Sequence, residues 1–261
     1  MDKNSNLYTF IYASVLVVAV AVVLTVAAIS LKPFQDKNVR VEKMQNILAS
    51  IGIESTAKNA EELYAKSITS EIVVNKKGDV LGVYENGNLV NGDVRAFELD
   101  LKVELTAVEK GGDGRLPIFV ANQNGKKYYI IPLLGKGLWA SIWGNVALEE
   151  DLNTVYGANF DHKSETPGLG AEIAEKPKEG KIVFSQQFKG KKIFDSNNEF
   201  KSIVVVKGGV KNQSLIAVEN GVDAISGGTL TSDGVTNMVK HCLENYVNYI
   251  KKSKVSNEQG N

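Results

Sequence analysis

The hydrophobic positions change their period several times along the chain. From Leu7 to Leu31 no charged residue interrupts a run dominated by Val, Ala, Leu and Ile. That run is longer than the about 20 residues a helix needs to cross a bilayer. It also exceeds the roughly 7–15 of a signal-peptide core, and Ala28-Ile29-Ser30 imitates a cleavage site only loosely. The reading is an uncleaved membrane helix, with Tyr8, Phe10 and Tyr12 as interfacial aromatics. From Arg40 the spacing becomes that of a one-faced helix. Val41, Met44, Ile47, Leu48 and Ile51 form its stripe, and Gly52 is its stop. A second short helix is expected over Asn59–Lys66.

After Glu71 the pattern turns to short β-rich runs. Strands are expected at Ile72–Val74, Val80–Val83 and Phe97–Leu105, with Gly78-Asp79 and Asn91-Gly92 as turns. Leu116–Val120 and Lys127–Leu134 flank Asn124-Gly125, which reads as a hairpin. Trp139 and Trp143 stand four apart, so they share a helix face or flank a turn. Further strands are expected at Lys181–Phe188, Ser202–Val206 and Gln213–Val218, with Gly208-Gly209 as a turn. Val235, Met238, Val239, Cys242, Tyr246 and Tyr249 then mark a helix over about Asp233–Lys252, followed by a polar, frayed tail. The fold class expected is α+β: a transmembrane helix, then a single domain of mainly antiparallel sheet with flanking helices.

Composition narrows the possible chemistry. The 261 residues are 43% hydrophobic and carry 30 basic against 30 acidic side chains. This balance gives nucleic-acid binding no electrostatic footprint. One cysteine and two histidines leave no internal disulfide and no Cys- or His-rich metal centre to expect. The membrane run holds no carboxylate that could bind a cation within the bilayer.

Three stretches stand out. Asp223-Ala224-Ile225-Ser226-Gly227-Gly228-Thr229-Leu230-Thr231-Ser232 is a flexible loop opening a helix, a ready anion site. Its hydroxyls could donate to a phosphate, and a threonine could be esterified by one. His162–Gly170 contains Glu165-Thr166-Pro167-Gly168-Leu169-Gly170, where Pro167-Gly168 suits a type II turn. Taken alone it is a surface turn. Gly135–Gly144 brackets the two tryptophans with glycines, as a close backbone approach would require.

Together these stretches, with the anchor, closely resemble the C subunits of sodium-translocating NADH:quinone reductases. The residues that carry the resemblance are Gly137-Leu138-Trp139, Gly144, Ala147-Leu148, Asp151–Val155, Glu165–Gly170 and Asp223–Ser232. It covers nearly the whole chain. The Glu165–Gly170 and Ser226–Ser232 elements also occur in the G subunit of the related Rnf complex, whereas Gly137–Trp139 and Asp151–Val155 point to the sodium pump.

The resemblance implies an FMN-binding domain over residues 71–252, after a tail (1–6), a span (7–31) and a juxtamembrane helical segment (32–70), with a flexible end (253–261). It implies FMN joined through its phosphate to threonine and installed by a separate flavin transferase. The family target reads Asp-x-x-Ser/Thr-Gly-Ala-Thr. Asp223, Ser226, Gly227 and Thr229 match it, and Gly228 replaces the alanine. Thr229 is therefore the expected acceptor, with Thr231 and Ser232 as phosphate partners. Leu138, Trp139 and Leu169 are expected to contact the ring, in a cleft where Gly137, Gly168 and Gly170 allow close approach. Glu165 or Thr166 would address the ring edge and Lys207 a ring oxygen, although as residues alone Lys207 reads first as a solvated turn lysine. No catalytic acid, base or nucleophile is expected. The implied role is electron relay from NADH-derived centres towards membrane flavins and quinone, alongside the other subunits. The implied location is a bacterial cytoplasmic membrane with the domain outside, although the charges flanking the anchor do not favour that side. The alternatives are the Rnf-type subunit and a membrane-anchored binding domain without redox chemistry.

Overall fold

The computed structural model describes residues 5–177, 180–212 and 216–259. Contacts divide the chain into two units, Met1–Lys43 and Met44–Asn261. Helix α1 (Asn6–Ser50) runs through the anchor and the juxtamembrane stripe without a break and contains Pro33. The sequence suggested two helices because the uncharged run ends at Leu31 and the one-faced spacing starts only at Arg40, but the helix continues through the charged residues between them and through Pro33. The anchor stretch has a mean hydropathy of 2.8 in its most apolar window, and none of that window is buried. A soluble core helix would bury such a surface, so the exposure fits a lipid-facing span.

In the second unit, α2 (Ala60–Ser67) leads into β1 (Ile68–Val74), β2 (Val80–Glu85) and β3 (Asn88–Asn91). Next come α3 (Leu101–Glu109), β4 (Leu116–Gln123), β5 (Lys126–Lys136), β6 (Ser141–Leu148) and β7 (Val155–His162). These seven strands form one sheet in the order β3-β2-β1-β4-β5-β6-β7, and every neighbouring pair is antiparallel. A separate parallel pair, β8 (Val204–Val206) and β9 (Gly221–Asp223), precedes α4 (Thr229–Glu244) and α5 (Val247–Gln259).

Strand alternation sends side chains into two cores, one on each face of the sheet. Ile118, Ile131, Leu133 and Val146 pack towards α4 and the start of α5. Phe119, Ile130 and Ala147 pack with Ile47, Leu48, Tyr64 and Phe97 on the other face. Central strand β4 is buried along its first six residues, which explains its continuous apolar run. Edge strand β3 is exposed throughout, with Val90 66% accessible.

Several expected elements are corrected. Phe97–Leu105 is not a strand. Ala96–Glu98 forms a 3₁₀ turn, and Asp100 caps α3 by accepting from Lys102 N at 2.9 Å. Lys181–Phe188 contains a 3₁₀ turn at Phe184–Phe188, where Gln186 Oε1 accepts from Val183 N at 2.9 Å. Phe184 and Phe188 both pack on Phe160, so their spacing of four served a helical turn. The expected terminal helix begins four residues early and breaks between α4 and α5. Beside that break the buried Tyr246 hydroxyl donates to the Pro117 carbonyl at 3.0 Å. Of the expected strand at Gln213–Val218, residues 213–215 lie outside the described residues, and Val218 starts a 3₁₀ turn. The expected flexible end is helical as far as Gln259.

One buried carboxylate anchors the face opposite α4. Glu71, 2% exposed, accepts from the Tyr64 hydroxyl at 3.0 Å, from Phe97 N at 3.0 Å and from the Arg95 guanidinium. Burial, reinforced by the Glu71 charge, raises the Tyr64 phenol far above its ordinary value. Replacing Glu71 by Ala strands three donors at once. We expect a loss of about 3 kcal/mol in urea unfolding followed by tryptophan fluorescence, and a change below about 1 kcal/mol would contradict this role.

Candidate functional site

Three connections meet at one end of the domain: the β5–β6 turn (137–140), the β7 exit (163–169) and the β9–α4 loop (224–228). Their meeting depends on α4 lying close against β5. A Cβ on Gly234 would come within 2.5 Å of the Lys136 carbonyl oxygen, and one on Gly135 within 2.6 Å of Met238 Cβ. Val235, Met238, Val239, Cys242 and Leu243 are buried on that face of α4. At about 1.5–3 kcal/mol for each large apolar side chain, burial dominates the few tenths that helix propensity contributes. The core therefore sets where α4 begins.

At that start Glu165, 6% exposed, ties the three connections together. Its Oε1 accepts from Trp139 N at 3.0 Å and its Oε2 from Thr231 Oγ1 at 2.6 Å. Its own N–H donates to His162 Nδ1 at 3.1 Å. Two glycines make room for the carboxylate. A Cβ on Gly137 would lie 2.4 Å from Oε1, and one on Gly170 would lie 2.8 Å from Oε2 and 2.2 Å from Thr231 Oγ1. Burial alone would raise the Glu165 pKa. The hydrogen bonds from Thr231 and the Trp139 and Ala140 N–H groups, with His162 nearby, outweigh it and hold the group below the usual carboxylate range.

A cleft of about 110 Å³ opens beside this clasp. Thr229, Thr166, Gly170 and Glu165 line it, with Leu138, Leu169 and Leu230 as exposed apolar rims. Thr229 is the first residue of α4 and half-buried, and its hydroxyl makes no hydrogen bond within the described protein. No side chain caps the helix, so the N–H groups of its first turn face the cleft end without a side-chain acceptor. An anionic group on Thr229 would meet those donors and the positive end of the helix. Gly227 takes φ 73°, where Leu169 Cδ2 would lie 2.5 Å from an added Cβ. Pro167-Gly168 forms the expected turn: Gly168 has φ 74° and Leu169 N donates to the Thr166 carbonyl at 3.1 Å.

The other expected site residues divide. Thr231 is 2% exposed and gives its proton to Glu165, so it has none to offer a phosphate. Ser232, 1% exposed, accepts from Ile225 N at 3.3 Å and braces the loop from inside. Both Glu165 oxygens already accept protein hydrogen bonds at the cleft wall, whereas Thr166 is exposed at the cleft. Gly168 and Ser226 line an adjoining open groove of about 500 Å³ with Ile182 and Gln187. Asp223 Oδ1 accepts from Val210 N at 2.7 Å and so fixes the turn after β8. Lys207 is exposed at that turn and lines neither recess. Trp139 is 70% exposed within the β5–β6 turn and Trp143 lies on β6, so the pair neither shares a helix face nor flanks the turn. Sequence reasoning missed the bracing role of Glu165, whose partners lie 26 and 66 residues away.

A family model described as an FMN-binding domain matches residues 137–244, which span all three connections. The C subunit of the Na(+)-translocating NADH-quinone reductase of Vibrio campbellii is 36% identical over 82% of this chain and 82% of its own length. Its counterpart from Haemophilus ducreyi is 31% identical over 92% of this chain and 90% of its own. The crystal structure of the same protein from Parabacteroides distasonis superposes with a TM-score of 0.68 at 41% identity, covering 84% of this chain and 96% of that one.

The clasp carries a pH signature. A carboxyl held below its ordinary value of 4.5 contributes stability that is full above about that pH and is lost as pH falls through the lowered value. Melting temperatures of the wild type and Glu165→Gln, measured from pH 6 to pH 3, should converge as the pH falls. Parallel curves would count against an ionised clasp.

Proposed function

The chain belongs to the family of C subunits of Na(+)-translocating NADH-quinone reductases, and on that premise we propose that it relays electrons in that membrane complex through FMN borne on the Thr229 hydroxyl. The observation that carries the attachment point is the contrast among the three hydroxyls at the start of α4. Thr231 and Ser232 are buried and engaged, whereas Thr229 opens into the cleft with its oxygen uncommitted.

The residues present suit the cofactor. An esterified phosphate on Thr229 keeps negative charge beside the uncapped α4 terminus, an interaction of about 0.3–2 kcal/mol. The cleft is smaller than the roughly 300–1,000 Å³ of pockets that enclose whole ligands. It would therefore hold the attachment end, with Leu138 and Leu169 the residues that would meet the flat ring and Thr166 the one that would meet its edge. Gly228 replaces the family's alanine where a Cβ would crowd Ile225 Cγ2 at 3.2 Å and Gly170 N at 3.3 Å, so the smaller residue suits the close packing of this loop. FMN, when bound, supplies the electron-carrying chemistry, and the chain's share is to hold it, orient it and set its electrostatic surroundings.

The proposed partners are the other reductase subunits and a flavin transferase that loads Thr229. The anchor holds the chain in a bacterial cytoplasmic membrane, with the domain on the periplasmic side. The names of the matched relatives favour this over the Rnf-type counterpart.

Protein co-expressed with its flavin transferase, denatured and run on a gel, should give a fluorescent band under ultraviolet light. Thr229→Ala should abolish the band, and Thr231→Ala should retain it. A band that survives Thr229→Ala would sink the attachment point. Separately, a periplasm-active reporter fused after Asn261 should be active, and activity only from a cytoplasmic reporter would reverse the orientation.

A further inference from the structure

We propose that Glu165 is a positioning residue whose fixed negative charge lowers the reduction potential of the flavin carried on Thr229, an inference that rests on the reading above. Two features of its surroundings support this role.

The first is placement. Glu165 lines the same cleft as Thr229, yet it is 6% exposed. The carboxylate faces the cleft from its own wall, so its field acts there over a short path.

The second is the kind of partner it has. Its oxygens accept from a hydroxyl and from backbone N–H groups. No lysine or arginine forms a salt bridge with it among the described residues. The charged or titratable groups nearby in the chain are Asp161, His162, whose Nδ1 accepts the Glu165 N–H, the exposed Lys163, and Glu172, whose Oε1 accepts from Gly168 N, with Lys136 exposed at the end of β5. Neutral donors stabilise the charge in place without cancelling it as an ion pair would. Glu71 differs in this respect, because Arg95 neutralises it. A charge that no salt bridge cancels, at the wall of an electron-carrying cleft, opposes the arrival of further negative charge there. Electrons still enter from the complex's NADH-derived centres and leave to the next carrier, and only the equilibrium between loaded and unloaded states moves.

A brace alone would show a different signature, so charge and hydrogen bond must be varied separately. Glu165→Gln keeps the shape and removes the charge. Thr231→Ala removes one hydrogen bond and leaves the charge. The flavin midpoint potential is measured by redox titration of the intact, flavin-loaded chain for the wild type, E165Q, T231A and E165Q/T231A. Removing the charge should raise the potential in both backgrounds, changing the oxidised-to-reduced ratio at fixed applied potential on the order of tenfold. T231A alone should change it far less.

The double variant keeps the comparison available if E165Q misfolds, because the alanine leaves room for the amide. Equal shifts in E165Q and T231A, no shift in either background, or a folded E165Q that takes up no flavin would overturn the assignment in favour of an architectural brace. The wild-type fluorescent band reports the attachment reading independently, so failure of that reading is distinguishable from failure of this one.

Discussion

Everything at the functional end of this domain depends on one buried carboxylate finding three donors. Glu165 draws the β5–β6 turn, the β7 exit and the first turn of α4 onto a single point. Each of the three belongs to a different element, and the carboxylate is where they are hydrogen-bonded together. An ionised group below the surface tolerates no loss of partners, because the desolvation cost then goes uncompensated. That intolerance makes the arrangement specific, and Gly137 and Gly170 are what allow the chain to close around it.

The domain uses the same device twice, with different chemistry. On the opposite face of the sheet, Glu71 gathers Tyr64, Phe97 and Arg95. There a guanidinium completes the pair and stacks 3.9 Å from the Tyr84 ring centroid, so the network is neutral and closed. At the cleft the donors are all uncharged and one side stays open. Between the two lies a sheet filled on both faces, which holds the two sites in fixed register.

Much of the architecture was legible because hydrophobic period maps directly onto secondary structure. The hairpin at Asn124-Gly125, the anchor and the apolar stripe of α4 all follow local rules. The misreadings came where short aromatic or β-branched runs serve something other than a ladder. Phe97–Leu105 looks β-rich, but Asp100 caps a helix within it. Phe184 and Phe188 plug the core from a 3₁₀ turn. At the site, the loop and its threonines were visible as a motif, yet their division of labour was not. Thr229, Thr231 and Ser232 are near neighbours in sequence, and only the helix geometry turns one outward and two inward. Glu165 read as a free polar group for the same reason, since its partners are set by tertiary contact.

The exposed edge strand β3 lies at the opposite end of the strand order from β7, the strand that leads into the cofactor turn. Its residues Asn88-Leu89-Val90-Asn91 include no lysine or proline to discourage a further strand. What protects this edge is brevity: at four residues, β3 offers few backbone groups to a further strand, so the guard is built into length rather than charge.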